Sequence, residues 1–330
     1  MATILDDAGR SNQSNGEDHV ERKLRALLHS WGLSRFSEEM AWSWMRRYLG
    51  SSTENNATSD DVERVRKWIL MQLNHQRRPA EASSWQVGCP ELIPCLRATP
   101  VWDCAMFAWI QRLESAFPVI KQELLALRGR SGFQPYRAPS WASDIHAQDG
   151  SGSLGHDAGD WNVFYLFLHN MDFKANRQRC PATVSVIESI PGHYEHAFFS
   201  ALAPRTHIKK HHGPTNKKLR CHLPLVVPEN QCRLRAGDEV IHVKEGKCFL
   251  FDDSFEHEAW NDDEHHSRIV LIVDIWHPDL TMPELKFLSF LRNAQLRMGK
   301  KHASDDKDNF FNIIKDANEA NLSEQHAIWS

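Results

Sequence analysis

RIVLIVDIW, residues 268–276, places seven apolar side chains in nine positions, five of them β-branched. A run this short and this rich in valine and isoleucine reads as a strand buried on both faces, because a helix needs a longer stretch with a 3.6-residue period. LRCHLPLVV, residues 219–227, has the same texture. Around these two lie TVSVIESI (183–190), YEHAFFSAL (194–202), CRLRA (232–236), EVIHV (239–243) and KCFLF (247–251), parted by Gly, Pro, Asn and Asp. Seven or eight short strands at this spacing predict a sandwich or jelly-roll barrel.

On either side the period changes. Apolar residues recur at three and four through Leu24, Leu27 and Leu28, then through Val62, Val65, Ile69 and Leu73, which predicts a small helical region over 18–80 with Ser59-Asp60-Asp61 as a capped helix start. The same period predicts helices over 104–127, where Pro118 either opens a second helix or kinks the first, and over 283–298. Residues 1–17 read as a disordered tail and 299–330 as a C-terminal tail. GSSTENNATS (50–59) and RRPAEASS (77–84) have linker compositions, and 130–160 reads as loop. The class is mainly β with flanking helices around a sandwich or jelly-roll core.

The 39 basic and 43 acidic residues nearly cancel to −4, so no overall field draws this chain to phosphate backbones or an anionic bilayer. The expectation is no nucleic-acid partner. No stretch reaches the length of a membrane span and the N-terminus lacks a secretory pattern, so a cytoplasmic location is expected. The seven cysteines, an odd set without a CxxC pair, read as reduced thiols. Sequons at Asn12, Asn56 and Asn321 read as chance. Nineteen histidines raise the odds of metal chemistry.

Residues that carry chemistry are densest between Ser200 and Arg268, in HHGPTN (211–216), LRCH (219–222) and DDSFEH (252–257). Two imidazoles on different strands of a small barrel converge in its mouth and make good ligands for Fe(II), Zn or Cu. Strand alternation puts Arg220 and His222 on one face, an unusual choice for a core unless an anion sits there. Spacing alone does not separate His211 from the adjacent His212, and Asp252-Asp253 reads equally as a turn.

Taken together, GDW (159–161), HHGPTNKKLRCHLPLVVPE (211–229), EGKCFLFDDSFEHEAWN (245–261) and RIVLIVDIWHPDL (268–280) resemble the aspartyl/asparaginyl β-hydroxylase family of Fe(II)- and 2-oxoglutarate-dependent oxygenases. A weaker resemblance runs upstream through LRATPVWD and GFQPYRAP, so the family domain is expected over 88–298. The resemblance implies that His211 and His257 hold iron, that Arg268 pairs with the far carboxylate of 2-oxoglutarate with Ser200 beside it, and that Arg220 and His222 lie near its metal-chelating end. Trp161 matches a position of the cosubstrate pocket. O₂ is the implied oxidant, and a double-stranded β-helix is the implied form of the jelly-roll core.

In ordinary members of the wider oxygenase class a carboxylate follows the first histidine by two residues, and here that residue is Gly213. The same absence is typical of the family, which resembles a two-histidine site with water in the vacant position. Asp253 is a candidate to orient that water. The family acts on Asp or Asn in protein domains or on lipid acyl chains; a peptide or protein substrate is the leading expectation. An EGF-like substrate fits a cytoplasmic chain poorly, since such domains are made in an oxidising compartment.

Overall fold

The computed structural model describes residues 13–49, 59–130, 132–136, 160–303 and 310–323. The GSSTENNATS linker, apart from Ser59, and the sequons at Asn12 and Asn56 lie outside the described residues. The chain divides into two compact units, the first built from Met1–Ala82, Glu91–Arg97 and Pro278–Asp306, the second from Ser83–Pro90, Ala98–His277 and Lys307–Ser330.

The first unit is helical. It contains α1 (Gln13–Ser30), α2 (Arg35–Leu49), α3 (Glu63–Leu73) and, late in the chain, α8 (Met282–Ala303). Leu24 and Leu28, Trp42 and Met45, Val65 and Ile69, and Phe287 and Leu291 are among its buried residues, at the three-and-four spacing of one helix face. The Trp44 ring stacks on Phe287 at 4.0 Å. Helix α1 starts at Gln13, inside the segment expected as a tail, and α8 runs on to Ala303, beyond the expected domain end. The 283–298 helix, expected to flank the sheets, thus groups with the N-terminal helices. Ser59-Asp60-Asp61 does not cap α3: a 3₁₀ turn occupies 59–62, and the Arg64 amide donates to Glu284 Oε1 at 3.0 Å. A fully buried carboxylate from distant sequence takes the capping role.

The second unit holds eleven strands among the described residues: β1 (Val101–Trp102), β2 (Gln134–Pro135), β3 (Trp161–Leu168), β4 (His193–Leu202), β5 (Thr206–His211), β6 (Lys218–Val226), β7 (Cys232–Ala236), β8 (Glu239–His242), β9 (Phe249–Phe251), β10 (His257–Asn261) and β11 (Arg268–Trp276). They form a major sheet ordered β1-β9-β6-β11-β4-β3-β2 and a minor sheet ordered β5-β10-β7-β8, and every pairing is antiparallel. The eight consecutive strands β4 to β11 alternate between the two sheets, apart from the β7–β8 hairpin, and this is the winding of a double-stranded β-helix.

Helices α4 (Ala108–Ser115), α5 (Phe117–Leu125), α6 (Lys174–Arg179), α7 (Pro181–Glu188) and α9 (Phe310–Ser323) complete the unit. Pro118 sits in the first turn of α5, the opening of a second helix. One sheet face joins Leu219, Cys221, Leu223, Leu250, Leu271 and Val273 to Ile110, Leu113, Ile120 and Ile187 of the helices in a single apolar core. TVSVIESI was expected as a strand and is helix α7 instead. Pro181 opens it, Thr183 and Ile187 are buried one turn apart, and Glu123 accepts from the Ala182 and Thr183 amides. Tertiary capping and packing outweigh the β propensity of its valines. Helix α9 lies where a C-terminal tail was expected.

Candidate active site

Because strand side chains alternate, the face opposite that apolar core carries Trp161 and Val163 of β3, Phe198 and Ser200 of β4, Arg220 and His222 of β6, and Arg268 and Asp274 of β11. It meets the minor sheet where the Phe251 ring lies 5.3 Å from that of His257. His211 ends β5 and His257 begins β10; the two are direct antiparallel partners with ring centroids 4.1 Å apart. Each Nδ1 is fixed by a carbonyl, His211 to Lys209 O and His257 to Phe255 O, both at 2.8 Å. A carbonyl only accepts, so Nδ1 carries the proton and Nε2 keeps the lone pair, the tautomer that ligates a metal. Burial pushes the His257 pKa down to about 3, which keeps the ring neutral. His212 points elsewhere, with Nε2 3.2 Å from Trp85 O.

Gly213 has no room for a carboxylate. A Cβ there would lie 2.5 Å from Asp253 Cγ and 2.6 Å from its Oδ2, so the Asp253 carboxyl fills the space a side chain at 213 would take. Lys218 donates to Asp253 Oδ2 at 2.6 Å, while the fully buried Oδ1 has no hydrogen-bond partner. Among the described residues no group of three or more His, Cys, Asp or Glu is gathered as a metal site.

Charge around this pair is closely matched. Arg220 grips Asp274 with Nε at 2.8 Å from Oδ1 and Nη2 at 2.9 Å from Oδ2; Lys218 reaches the same carboxylate at 3.0 Å, and His196 Nδ1 lies 2.7 Å from it. Burial opposes ionisation of Asp274, but Arg220, Lys218 and His196 outweigh it and hold its pKa well below the usual range. The anion that sequence reasoning expected beside Arg220 is therefore supplied by the protein itself. Asp274, Lys218 and His196 were missed, although a lone carboxylate inside RIVLIVDIW was a visible signal: in a fully buried strand it demands a partner.

Arg268 differs. It is buried, its Nε has no hydrogen-bond partner, and no carboxylate among the described residues pairs with it. Burial lowers its pKa to about 10, and the neighbouring Cys232 thiol, itself pushed up by burial to about 11, offers no negative charge near neutrality. Val270, two residues along β11, is the register partner of Ser200, so Arg268 and Ser200 share a face on adjacent strands. Trp161 Nε1 donates to Ser200 Oγ at 2.9 Å and leaves the hydroxyl hydrogen for another acceptor. Both ring nitrogens of His222 are buried without partners, and burial holds its pKa well below the ordinary value. Tyr136, also missed, stacks on Trp161 at 3.7 Å with 10° between the planes.

The fold therefore brings His211, His257 and Asp253 together at one end of the face, and Ser200, Trp161 and Arg268 on neighbouring strands. A buried cation with no anion among the described residues, beside a hydroxyl and an imidazole with open nitrogens, fits a dicarboxylate; two neutral imidazoles with directed lone pairs fit a divalent metal.

The chain is 36% identical over 181 residues to an ornithine lipid ester-linked acyl 2-hydroxylase of Rhizobium tropici, covering 54% of this chain and 61% of that one. It is 32% identical over 237 residues to the human aspartyl/asparaginyl beta-hydroxylase, covering 67% of this chain and 28% of that protein. The matches span less than two thirds of either relative. A crystal structure of a 2OG-Fe(II) oxygenase family oxidoreductase from Burkholderia pseudomallei superposes with a TM-score of 0.30 at 12% identity, over 47% of this chain and 78% of that one. The sequence profile of the aspartyl/asparaginyl beta-hydroxylases matches residues 114–278, half of the chain. With its paired histidines on β5 and β10 inside the matched stretch, this chain belongs to the aspartyl/asparaginyl β-hydroxylase family.

Proposed function

We propose that the chain is an Fe(II)- and 2-oxoglutarate-dependent dioxygenase that hydroxylates an unactivated C–H, the β-carbon of Asp or Asn in a peptide or protein. The observation that carries this reading is Arg268, a buried guanidinium that no carboxylate among the described residues pairs with and whose strand neighbour offers the Ser200 hydroxyl. A bidentate carboxylate answers that deficit. A hydrolytic or storage zinc site would have no use for it.

His211 and His257 would hold the metal through Nε2, with Asp253 Oδ1 placed to accept a hydrogen bond from a water in the position Gly213 leaves without a ligand. Arg268 and Ser200 would bind the far carboxylate of 2-oxoglutarate, with Trp161 fixing the Ser200 hydroxyl. His222 would meet the near end as a neutral donor, and Arg220, held by Asp274, would add positive potential there. Bound Fe(II) with 2-oxoglutarate and O₂ supplies C–H hydroxylation, with succinate and CO₂ as co-products. The burial of both histidines excludes bulk water from the pair.

A second reading, hydroxylation of a lipid acyl chain by the same machinery, is favoured by the identity to the ornithine lipid hydroxylase. The test is succinate formation after anaerobic reconstitution with Fe(II) and 2-oxoglutarate and exposure to air, with Asp/Asn peptides or acyl lipids added. The expected outcome is Fe(II)-dependent succinate that His257→Ala abolishes. A folded protein that binds Fe(II) but neither binds nor consumes 2-oxoglutarate would overturn the reading.

A further inference from the structure

Gln134 is completely buried on β2, and among the described residues neither its amide nitrogen nor its amide oxygen has a hydrogen-bond partner. Leaving both ends of a carboxamide unsatisfied opposes folding, so such a side chain persists where a ligand meets it. Its cross-strand partner is Val163, and Val163 is partnered with Ser200. Partners across a sheet share a face, so Gln134 stands on the face that carries Ser200, Trp161 and Arg268, two strands or about 10 Å from Ser200.

Tyr136 shares that face two residues further on. Its ring lies on Trp161, which in turn donates to Ser200, and its phenol feels the charges of Arg220, Asp253 and Asp274. Burial pushes its pKa up to about 12, so it is a neutral donor. Edge strand β2 thus lines the site with a carboxamide and a phenol that the roles of metal and cosubstrate leave unused.

We propose that Gln134 binds amide groups of the prime substrate, donating to a carbonyl oxygen and accepting from an N–H that the substrate turns to the same side, with the Tyr136 phenol as a second donor. The proposal rests on the hydroxylase reading. A carboxylate would satisfy only the NH₂ of Gln134 and a hydrocarbon neither end, whereas the N–H and C=O that one extended residue turns to the same side satisfy both. Amides of this kind belong to peptides and to N-acylated amino acids alike.

The test compares the wild type with Gln134→Leu, using acetyl-Gly-Asn-Gly-amide and N-lauroylglycine as amide probes and lauric acid as the amide-free control. Removing an unsatisfied amide should raise the melting temperature of the ligand-free protein by about 2 °C. The same substitution should weaken calorimetric binding, and raise the KM, of the responding amide probe by about tenfold while the KM for 2-oxoglutarate moves less than about twofold. Which probe responds identifies the source of the amide. A variant that melts lower and binds the probes as the wild type does would make Gln134 structural and overturn the proposal, as would a wild type that responds to neither amide probe. A folded wild type that binds Fe(II) but neither binds nor consumes 2-oxoglutarate would sink the hydroxylase reading itself, whereas unchanged probe binding in an enzyme that binds 2-oxoglutarate would sink this inference alone.

Discussion

A methyl group at residue 213 would lie 2.5 Å from Asp253 Cγ, and that carboxyl is pinned by Lys218 with nowhere to retreat. Gly213→Ala is expected to lower Fe(II) or Co(II) affinity about tenfold or more by displacing Asp253. Gly213→Asp should do the same rather than rebuild a three-ligand site, because the space is occupied. Metal titration of the two variants checks this, and affinity at or above wild type for Gly213→Asp would show that the space is open. Asp252 gives a test by pH. Burial raises its pKa from 3.8 to about 7, so the folded chain keeps a proton that the unfolded chain has lost, and its contribution to stability falls as pH rises between those values. His257 works in the opposite sense: its pKa is lowered from 6.5 to about 3, so protonation of the unfolded chain removes stability as pH falls through that range. Asp252→Asn cancels the first effect alone. The urea midpoint of the variant relative to wild type should rise between about pH 4 and about pH 7 in metal-free protein. A pH-independent difference would contradict the assignment.

Strand β11 shows what an element contributes beyond its residues. All nine of its side chains are buried, yet two are charged. Asp274 answers Arg220, Lys218 and His196, while Arg268 at the other end answers no carboxylate among the described residues. Asp274→Asn keeps the shape but leaves two buried cations facing Asp253 alone. It should cost about 3–5 kcal/mol in urea unfolding, the cost of breaking a buried pair by removing one partner. A loss below about 1 kcal/mol would mean that water screens the cluster.

For the molecule as a whole, both units are discontinuous in sequence, and the helical one recruits α8 from beyond the sheets. Phe287 of α8 is buried and stacked on Trp44, and Glu284 is paired with Arg64 at 3.2 Å. A chain lacking residues 1–82 should therefore expose the apolar face of α8, binding a hydrophobic dye and aggregating where the full chain does neither. A monomeric fragment that binds no dye would show that α8 needs no N-terminal partner. Among the described residues no helix is long and apolar enough to cross a membrane.

The sequence by itself determined the mainly β class, the helical period of the N-terminal region, and the residue types of the site. Alternating and three-to-four patterns are local, and buried strands such as RIVLIVDIW advertise themselves. The strands that hold the paired histidines did not. THIKKH and HEAWN are short and polar, and they become strands because each pairs with the other. That pairing sets His257 opposite His211 and turns His212 away, a choice between neighbours that composition does not encode. Register is a long-range property, and so are the capping of α7 by Glu123, the filling of the Gly213 space by Asp253, and the solitude of Arg268. Each depends on what another part of the chain brings within a few ångströms, which tertiary packing alone decides.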